Sequence, residues 1–205
     1  MSLSGGQLAG GNSVSEKAEN DYYATDPKTV ELFLDSFGEL DALKNGGLIW
    51  EPSCGGGNIA EVVKRRFPKC ELKATDLIYR NYGEGGEDFL ESDFRGADLI
   101  ITNPPFSLIN DFIRKGLELS KRWLVLLAKI QTLETLERKD ILENSPLKYV
   151  YVHSSRQATW KNGEPLDENG KKWATTMCLA WFVWDKEYAG EPIVRFIGNG
   201  KKTLF

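Results

Sequence analysis

The sequence predicts an α/β fold with a doubly wound, mostly parallel sheet that is antiparallel at one edge. Short, continuous apolar runs alternate with segments of helical periodicity, which is the pattern of strands covered on both faces by crossover helices. The last apolar runs follow one another without an intervening helix, so we expect that side of the sheet to be antiparallel.

Length and composition limit the protein to a few classes. The chain has 205 residues, 41% of them hydrophobic, and a formal net charge of −4. This length corresponds to one domain with enough apolar residues for a single core, which excludes a disordered chain and a disulfide-stapled mini-protein. The acidic balance argues against a generally basic nucleic-acid binder, so a polyanion would have to be held by a local patch.

The cellular setting follows from what the sequence lacks. No apolar run reaches the ~18–20 residues that span a bilayer, and the first twenty residues do not have the pattern of a signal peptide. The three cysteines, Cys54, Cys70 and Cys178, have no paired spacing. We therefore expect a cytoplasmic protein without disulfides, a metal site or a membrane partner.

The elements are predicted in the order of the chain. Residues 1–20 are expected to be a disordered tail and residues 21–205 a single domain. Asp26 can cap a first helix that has Pro27 at its first position. The predicted strands cover 48–50, 71–75, a short run near Phe89, 98–102, 123–127, 149–152, 175–185 and 193–197. The other predicted helices cover 58–67, a segment capped by Ser107, and 133–144.

A glycine-rich segment, Glu51-Pro-Ser-Cys-Gly-Gly-Gly-Asn-Ile-Ala60, joins the first strand to a helix. Gly55, Gly57 and Ala60 satisfy the pattern G-x-G-x-x-A, and Asp76 follows 19 residues after Gly57, at the end of the second strand. This spacing predicts a site for an adenosine-containing cofactor without choosing between NAD and S-adenosylmethionine. The alternative is a tight turn that binds nothing. Cys54 is interpreted as a packing residue, because no basic partner is visible nearby.

A second motif, Asn103-Pro104-Pro105-Phe106, follows the apolar strand 98–102. The two prolines restrict the backbone, so the Asn103 side-chain oxygen and the Pro104 carbonyl can each accept one N–H of a planar amino group. Phe106 offers a flat face on which a heterocycle can stack. The alternative interpretation is a rigid surface turn beside a buried phenylalanine.

With these motifs the sequence resembles the phage-type DNA adenine-N6 methyltransferases, which are S-adenosylmethionine-dependent amino-methyltransferases with an Asn-Pro-Pro-Phe motif. The resemblance covers roughly residues 21–197. It rests on Tyr22-Tyr23-Ala-Thr25-Asp-Pro27, the glycine-rich segment, Thr75-Asp76, Ser92-Asp93-Phe94, Asn103-Pro-Pro-Phe106 and Trp181-Phe-Val-Trp184. It implies a Rossmann-like class I methyltransferase fold in a bacterial or phage-encoded protein.

The resemblance also implies the roles of individual residues. Asn103, Pro104, Pro105 and Phe106 would be catalytic. Asp76 would bind the ribose hydroxyls of S-adenosylmethionine, and Asp93 its adenine amino group, with Phe94 packing on that ring. The full cofactor-binding set would be Tyr23, Thr25, Glu51, Pro52, Cys54, Gly55, Gly57, Asn58, Asp76, Leu77, Asp93 and Phe94. The target adenine would be flipped out of duplex DNA, and the methyl group would be transferred directly and in line.

Residues 154–174 are the candidate DNA-contacting insertion, because basic side chains alternate there with Trp160 and Trp173. Its candidate DNA-binding residues are Arg156, Lys161, Lys171 and Lys172. The alternative is a hairpin whose tryptophans pack down. The chain is short for a separate recognition domain, so a homodimer or a partner subunit is a further way of holding DNA.

Other functions remain open from the sequence. The substrate could be another planar amino group, in RNA guanine or adenine or in protein glutamine. The chain could also be a non-catalytic S-adenosylmethionine-binding subunit. An NAD oxidoreductase is a weaker alternative, because no residue supplies the acid or base of hydride chemistry.

Overall fold

The computed structural model describes residues 18–155, 157, 159–173 and 177–198 of the chain. The strands are β1 Tyr23–Thr25, β2 Leu48–Glu51, β3 Glu71–Asp76, β4 Glu84–Gly85, β5 Leu99–Thr102, β6 Trp123–Lys129, β7 Leu147–His153, β8 Thr159–Lys161, β9 Leu179–Asp185 and β10 Ile193–Ile197. The α-helices are α1 Pro27–Ser36, α2 Asn58–Arg66, α3 Ile109–Leu119 and α4 Leu136–Glu143.

Eight strands form one sheet in the order β10-β7-β9-β6-β5-β2-β3-β4. Every neighbouring pair is parallel except those of β9, which runs antiparallel to both β6 and β7. The predicted doubly wound, mostly parallel sheet with antiparallel pairing towards one side is therefore confirmed. The outermost strand, β10, runs parallel to β7.

Alternate residues of the buried strands pack into two separate cores. Ile49 and Ile101 face one core together with α1 and α2, whereas Trp50 and Ile100 face the other together with α3 and α4. Because β2 pairs with β3 on one side and with β5 on the other, the strand order reverses at β2. In open α/β sheets ligands bind at such a switch point, beyond the carboxyl ends of the strands.

Asp26 caps α1 as expected, accepting a hydrogen bond from the Lys28 amide at 2.9 Å, with Pro27 at the first helical position. Ser107, in contrast, does not cap a helix. A 3-10 turn covers Phe106–Leu108 before α3 begins. The Ser107 amide and hydroxyl both donate to Asp21, at 3.2 and 3.4 Å.

Two other elements differ from expectation. The strand predicted near Phe89 is wrong: these residues form a turn, and the edge strand is β4. Phe89 is buried against Trp50 and Phe112, so its apolar character reflects core packing in a loop. The helix predicted over 133–144 is divided into a 3-10 turn, Ile130–Leu133, and α4, because Thr135 between them has a φ of 81°.

Two of the predicted segments extend beyond the described residues. Residues 1–17 of the expected tail lie outside the described residues, and the described chain begins at Ala18, whose side chain is buried. Strand β9 begins at Leu179, and position 175 of the predicted strand lies outside the described residues. Over the ranges that the structure describes, no helix is long and apolar enough to cross a membrane.

Candidate active site

A cavity of about 490 Å³ opens at the carboxyl ends of β2, β3 and β5, beside β1. This volume falls within the range of about 300–1,000 Å³ that is typical of small-molecule sites. The cavity brings the two sequence motifs together. The predicted site residues that line it are Tyr23, Thr25, Glu51, Pro52, Cys54, Asn58, Asp76, Leu77, Asn103, Pro104, Pro105 and Phe106.

The predicted Gly55 and Gly57 shape the cavity without lining it. Gly57 has a φ of 85° and precedes α2, so the turn requires a left-handed residue there. Gly55 has a φ of 52°, and a Cβ at this position would lie 2.5 Å from Cε2 of Tyr22. The missing side chain of Gly55 therefore lets the Tyr22 ring lie against the turn, where the Tyr22 hydroxyl accepts the Gly56 amide at 3.0 Å.

Asp76 is buried at the end of β3 and accepts three hydrogen bonds. Its Oδ2 accepts the Gly55 amide at 2.8 Å, and its Oδ1 accepts the Ile78 amide at 2.9 Å and the Arg80 guanidinium at 3.1 Å. The Arg80 guanidinium also stacks on the Tyr22 ring, 4.2 Å from its centroid. A carboxylate has about four acceptor positions, so Oδ2 retains one for a hydroxyl of a ligand.

Glu51 is a carboxyl group enclosed by protein at the end of β2. Its side chain is 1% exposed, and Oε2 has no hydrogen-bond partner among the described residues. Burial raises the pKa of Glu51 well above its usual range, and the nearby Asp76 charge adds to this, whereas the Ala60 amide acts in the opposite direction. Glu51 therefore keeps its proton to a higher pH than an exposed glutamate.

β1 contributes a second buried oxygen to the cavity. Thr25 is 2% exposed, and its hydroxyl has no partner among the described residues. The Thr25 carbonyl accepts the Asn58 side-chain amide at 2.9 Å. This bond ties β1 to the first residue of α2 and keeps the hydroxyl beside the glycine-rich turn.

Asn103 follows β5 and has a fixed amide orientation. Its Nδ2 donates to the Tyr23 carbonyl at 2.7 Å, whereas its buried Oδ1 has no partner among the described residues. The adjacent Pro104 is buried, and Phe106 stacks on Tyr23 with ring centroids 5.9 Å apart. Lys129 holds its Nζ 4.6 Å from the centroid of the Phe106 ring. An acceptor oxygen and an aromatic face are thus held at one edge of the cavity.

The structure places Asp93 and Phe94, for which the resemblance implies contacts with the cofactor, outside the cavity lining. Asp93 is exposed, neither residue lines the cavity, and Phe94 packs edge-on against Trp50 with centroids 5.2 Å apart. Asp88 and Phe89 line the cavity instead. The sequence carries the same Asp-Phe pair at both positions, five residues apart, so the signal was present but ambiguous.

Other cavity residues were missed by the sequence analysis. Arg80 follows Asp76 by four residues in a loop, and nothing in the local sequence marks it. Tyr22 belongs to the segment Tyr22-Tyr23-Ala-Thr25-Asp-Pro27, but from the sequence it could equally have been a core residue. The remaining lining residues without a predicted role are Asn20, Asp21, Ala24, Ser53, Ile59, Ile78, Glu87, Leu90, Ser107, Leu108 and Phe112.

Cys54 behaves as the packing residue that the sequence indicated. Burial raises the pKa of its thiol to about 12, and the nearby Glu51 and Asp76 charges act in the same direction. Since the thiolate is the nucleophilic form of cysteine, this thiol is a poor nucleophile at neutral pH.

The described residues of the candidate DNA-contacting insertion lie beside the cavity without lining it. Its strand β8 pairs antiparallel with β1, so that Lys161 is opposite Tyr23. Lys171 and Lys172 are exposed on a following hairpin, in which Leu166 bridges to Lys172. The Trp173 indole donates to the Glu164 carbonyl at 2.6 Å. Arg156 lies outside the described residues.

Comparison with known proteins identifies similar folds. No family model matches the chain. Over 92 residues the chain is 35% identical to modification methylase CviBIII of Paramecium bursaria Chlorella virus NC1A. This match covers 39% of the chain and only 24% of the length of the viral protein.

Solved structures match over a larger part of the chain. A protein of Listeria monocytogenes assigned as a class I S-adenosylmethionine-dependent methyltransferase has a TM-score of 0.65 at 13% identity, covering 93% of this chain and 71% of that one. A protein of Pyrococcus horikoshii assigned as an RNA methyltransferase has a TM-score of 0.57 at 13% identity, covering 87% and 95%. The cofactor predicted from the sequence is the one named for the Listeria protein. The chain therefore has the Rossmann-like fold of the class I S-adenosylmethionine-dependent methyltransferases.

Proposed function

We propose that this chain transfers a methyl group from S-adenosylmethionine to the N6 amino group of adenine in DNA. The observation that carries the proposal is the buried Asn103 Oδ1, which has no partner among the described residues, while the Asn103 Nδ2 donates to the Tyr23 carbonyl. This acceptor lies in the same cavity as the glycine-rich motif. The partial likeness to a viral modification methylase, a kind of enzyme that acts on DNA, supports the choice of substrate.

The residues present fit S-adenosylmethionine. The cavity has a suitable volume, and the buried Thr25 Oγ1, which has no partner among the described residues, can accept a hydrogen bond from the amino group of S-adenosylmethionine. Asp76 Oδ2 would hold a ribose hydroxyl, and Asp88 would accept from the adenine amino group in the role first expected for Asp93. When bound, the cofactor supplies an electrophilic methyl group on a sulfonium sulfur.

Two acceptor oxygens would stabilise the transition state of methyl transfer. The N6 lone pair of adenine is delocalised into the ring, so the amino group is a weak nucleophile. Asn103 Oδ1 and the Pro104 carbonyl would each accept one N–H, which favours a pyramidal nitrogen with its lone pair directed at the methyl group. Such bonds raise the rate because they are stronger in the transition state than in the ground state. Cys54 does not act as a nucleophile in this step.

DNA would enter the site through base flipping. A stacked base cannot reach a cavity at the end of a sheet, so the target adenine must leave the duplex at a cost of a few kcal/mol. Stacking on Phe106, worth about 1–3 kcal/mol for an aromatic contact, would offset part of that cost. The insertion beside β1 would contact the flanking backbone through Lys161, Lys171 and Lys172.

The proposed activity is tested by methyl transfer from tritium-labelled S-adenosylmethionine to unmethylated DNA, with RNA and protein extracts as parallel substrates. Digestion to nucleosides and mass determination would identify N6-methyladenine as the expected product. Label in guanosine, or label only in RNA or protein, would show that the substrate is another planar amino group and not adenine in DNA. Absence of transfer from a cofactor-bound protein would favour a non-catalytic binding subunit.

We predict that Asn103→Ala lowers methyl transfer by about 100- to 1,000-fold, because one transition-state acceptor is lost. Cofactor affinity, measured by calorimetry, should stay within a few-fold of the wild type, since the lost oxygen faces the substrate. The matched control is Asn45→Ala, an exposed asparagine before β2 at the opposite edge of the sheet. Near-normal turnover of the Asn103 variant would contradict the amino-group assignment.

A further inference from the structure

The carboxyl group of Glu51 combines three features that the proposed reaction does not yet use. It is 1% exposed, it lines the cavity, and its Oε2 has no hydrogen-bond partner among the described residues. The adjacent strands β2 and β5 bring Glu51 and Asn103 to the same cavity. A buried carboxyl with an unused oxygen responds strongly to any charge that enters beside it, because the surroundings screen it poorly.

The cofactor changes its charge by one unit when it is converted from S-adenosylmethionine to S-adenosylhomocysteine. S-adenosylmethionine carries a sulfonium, an ammonium and a carboxylate, and therefore a net charge of +1. S-adenosylhomocysteine has a neutral thioether in place of the sulfonium and no net charge. The two ligands have almost the same shape, so a site that distinguishes them has to respond to the charge.

We propose that Glu51 is a charge-sensing, specificity-determining residue, ionised in the complex with S-adenosylmethionine and protonated in the complex with S-adenosylhomocysteine. This inference rests on the proposed function and deepens it. Binding of the cation releases one proton from Glu51, and conversion to the neutral product allows Glu51 to take one up. The site thus favours the reactant over the product without recognising the methyl group itself.

The proton balance of the reaction agrees with this assignment. During transfer the carbon–sulfur bond breaks, the carbon–nitrogen bond forms, and the sulfur keeps the electron pair. The nitrogen then loses one proton, and Glu51 gains one as the positive charge beside it disappears. The complex therefore keeps its proton count through the transfer, whether or not the same proton moves between the two groups.

The groups that surround Glu51 favour its protonated form when no cation is bound. Burial raises the pKa of Glu51 most strongly, Asp76 on β3 raises it further, and the Ala60 amide of α2 acts in the opposite direction. Glu51 in turn raises the pKa values of Cys54 in the glycine-rich turn and Tyr82 in the loop after β3. Arg80, the one basic side chain lining the cavity within the described residues, is paired with Asp76. The other titratable groups lining the cavity are Asp21, Tyr22, Tyr23, Glu87 and Asp88.

The direct test is calorimetric titration of the DNA-free protein with S-adenosylmethionine and with S-adenosylhomocysteine. Buffers of different ionisation enthalpy give the number of protons exchanged, and the pH is varied between about 6 and 8. We expect proton release only with S-adenosylmethionine, whose affinity should rise by up to about tenfold per pH unit while that of the product stays nearly flat. Sinefungin, which has a protonated amine at the sulfonium position, should release a proton on binding as S-adenosylmethionine does.

Glu51→Gln preserves the shape of the side chain and removes its ionisation. This variant should bind both ligands without proton exchange, and its preference for S-adenosylmethionine over S-adenosylhomocysteine should fall by about tenfold or more. The matched control is Glu71→Gln, the same change at an exposed position at the amino end of β3, which should leave both quantities unchanged.

The outcomes separate this inference from the proposed function. If the wild-type protein binds both ligands with equal proton exchange, or if Glu51→Gln keeps the pH dependence, charge sensing by Glu51 is wrong while the methyltransferase assignment stands. If neither ligand binds to the wild-type protein, both are wrong. The wild-type buffer series is decisive even if the variant does not fold.

Discussion

At the scale of single residues, the cavity combines side chains that are already hydrogen-bonded with oxygens that are not. Asp76 belongs to the first kind, because Gly55, Ile78 and Arg80 occupy three of its acceptor positions. A ribose with two adjacent hydroxyls can take the remaining position directly, but a second bond to the carboxylate requires Arg80 to leave. In the proposed ribose-binding role of Asp76, the ion pair with Arg80 would therefore compete with the cofactor.

We predict that Asp76→Asn weakens cofactor binding by about 10- to 100-fold, because a hydrogen bond to a charged group contributes about 1.5–3 kcal/mol. Asparagine can still accept the Gly55 amide, so the turn is retained. Calorimetric affinity measures the effect, with Asp41→Asn, an exposed aspartate before β2, as the control. An unchanged affinity would reject the ribose role of Asp76.

Sequence reasoning found the cavity-lining residues that belong to compact motifs. Asn103 to Phe106 and the segment from Glu51 to Asn58 were identified because their spacing is local. Local spacing does not decide between two equivalent candidates such as Asp88-Phe89 and Asp93-Phe94. Both phenylalanines pack edge-on against Trp50 at 5.2 Å, and only the folded loop decides which aspartate reaches the cavity.

At the scale of elements, the pairing of β1 with β8 joins the cavity to the insertion. The two strands are far apart in sequence, and Thr25 lies opposite Thr159. No local pattern predicts such a pairing, because its stabilisation comes from long-range backbone hydrogen bonds. The basic and aromatic composition that marks residues 154–174 as a candidate insertion is, in contrast, a local property of the sequence.

We predict that replacing Lys161, Lys171 and Lys172 together by glutamine weakens DNA binding and flattens its dependence on salt. Each lost phosphate contact reduces the slope of log affinity against log salt by about 0.9. The matched control replaces Lys64, Lys69 and Lys121, three exposed lysines towards the amino ends of the strands. An equal loss of slope in both triple variants would mean that the insertion is not the DNA-contacting surface.

At the scale of the whole molecule, the fold was predictable because its strands are buried on both faces. Residues 99–102 and 123–128 are buried without exception, which produces the continuous apolar runs seen in the sequence. The strand order was not predictable in the same way. The insertion of β9 between β6 and β7 depends on pairings such as Val125 with Val183, which join distant segments.

Global stability should depend on pH through His153, a buried histidine at the end of β7. Neither of its ring nitrogens has a hydrogen-bond partner among the described residues, and burial lowers its pKa to about 4 from the usual 6.5. Between these values the unfolded chain binds a proton that the folded chain does not, so the free energy of unfolding falls as the pH falls. The stability is fully present above about pH 6.5 and is lost towards pH 4.

We predict that His153→Phe reduces the pH dependence of stability. The histidine should account for about 2 kcal/mol of the decrease in the free energy of unfolding between about pH 7 and about pH 5. Urea denaturation of both proteins at the two pH values measures this difference, and the contribution of the carboxyl groups cancels in the comparison. A variant with the full wild-type decrease would show that His153 is solvated or hydrogen-bonded in the folded protein.

The three residues of β1 serve two sites at once. One edge of the strand supplies the Tyr23 carbonyl that holds the Asn103 amide, and the other edge is hydrogen-bonded to β8 of the insertion. A ligand that pulls the insertion away from β1 would also disturb the support of Asn103. In the proposed function, β1 would therefore connect DNA contact by the insertion with the alignment of the target amino group.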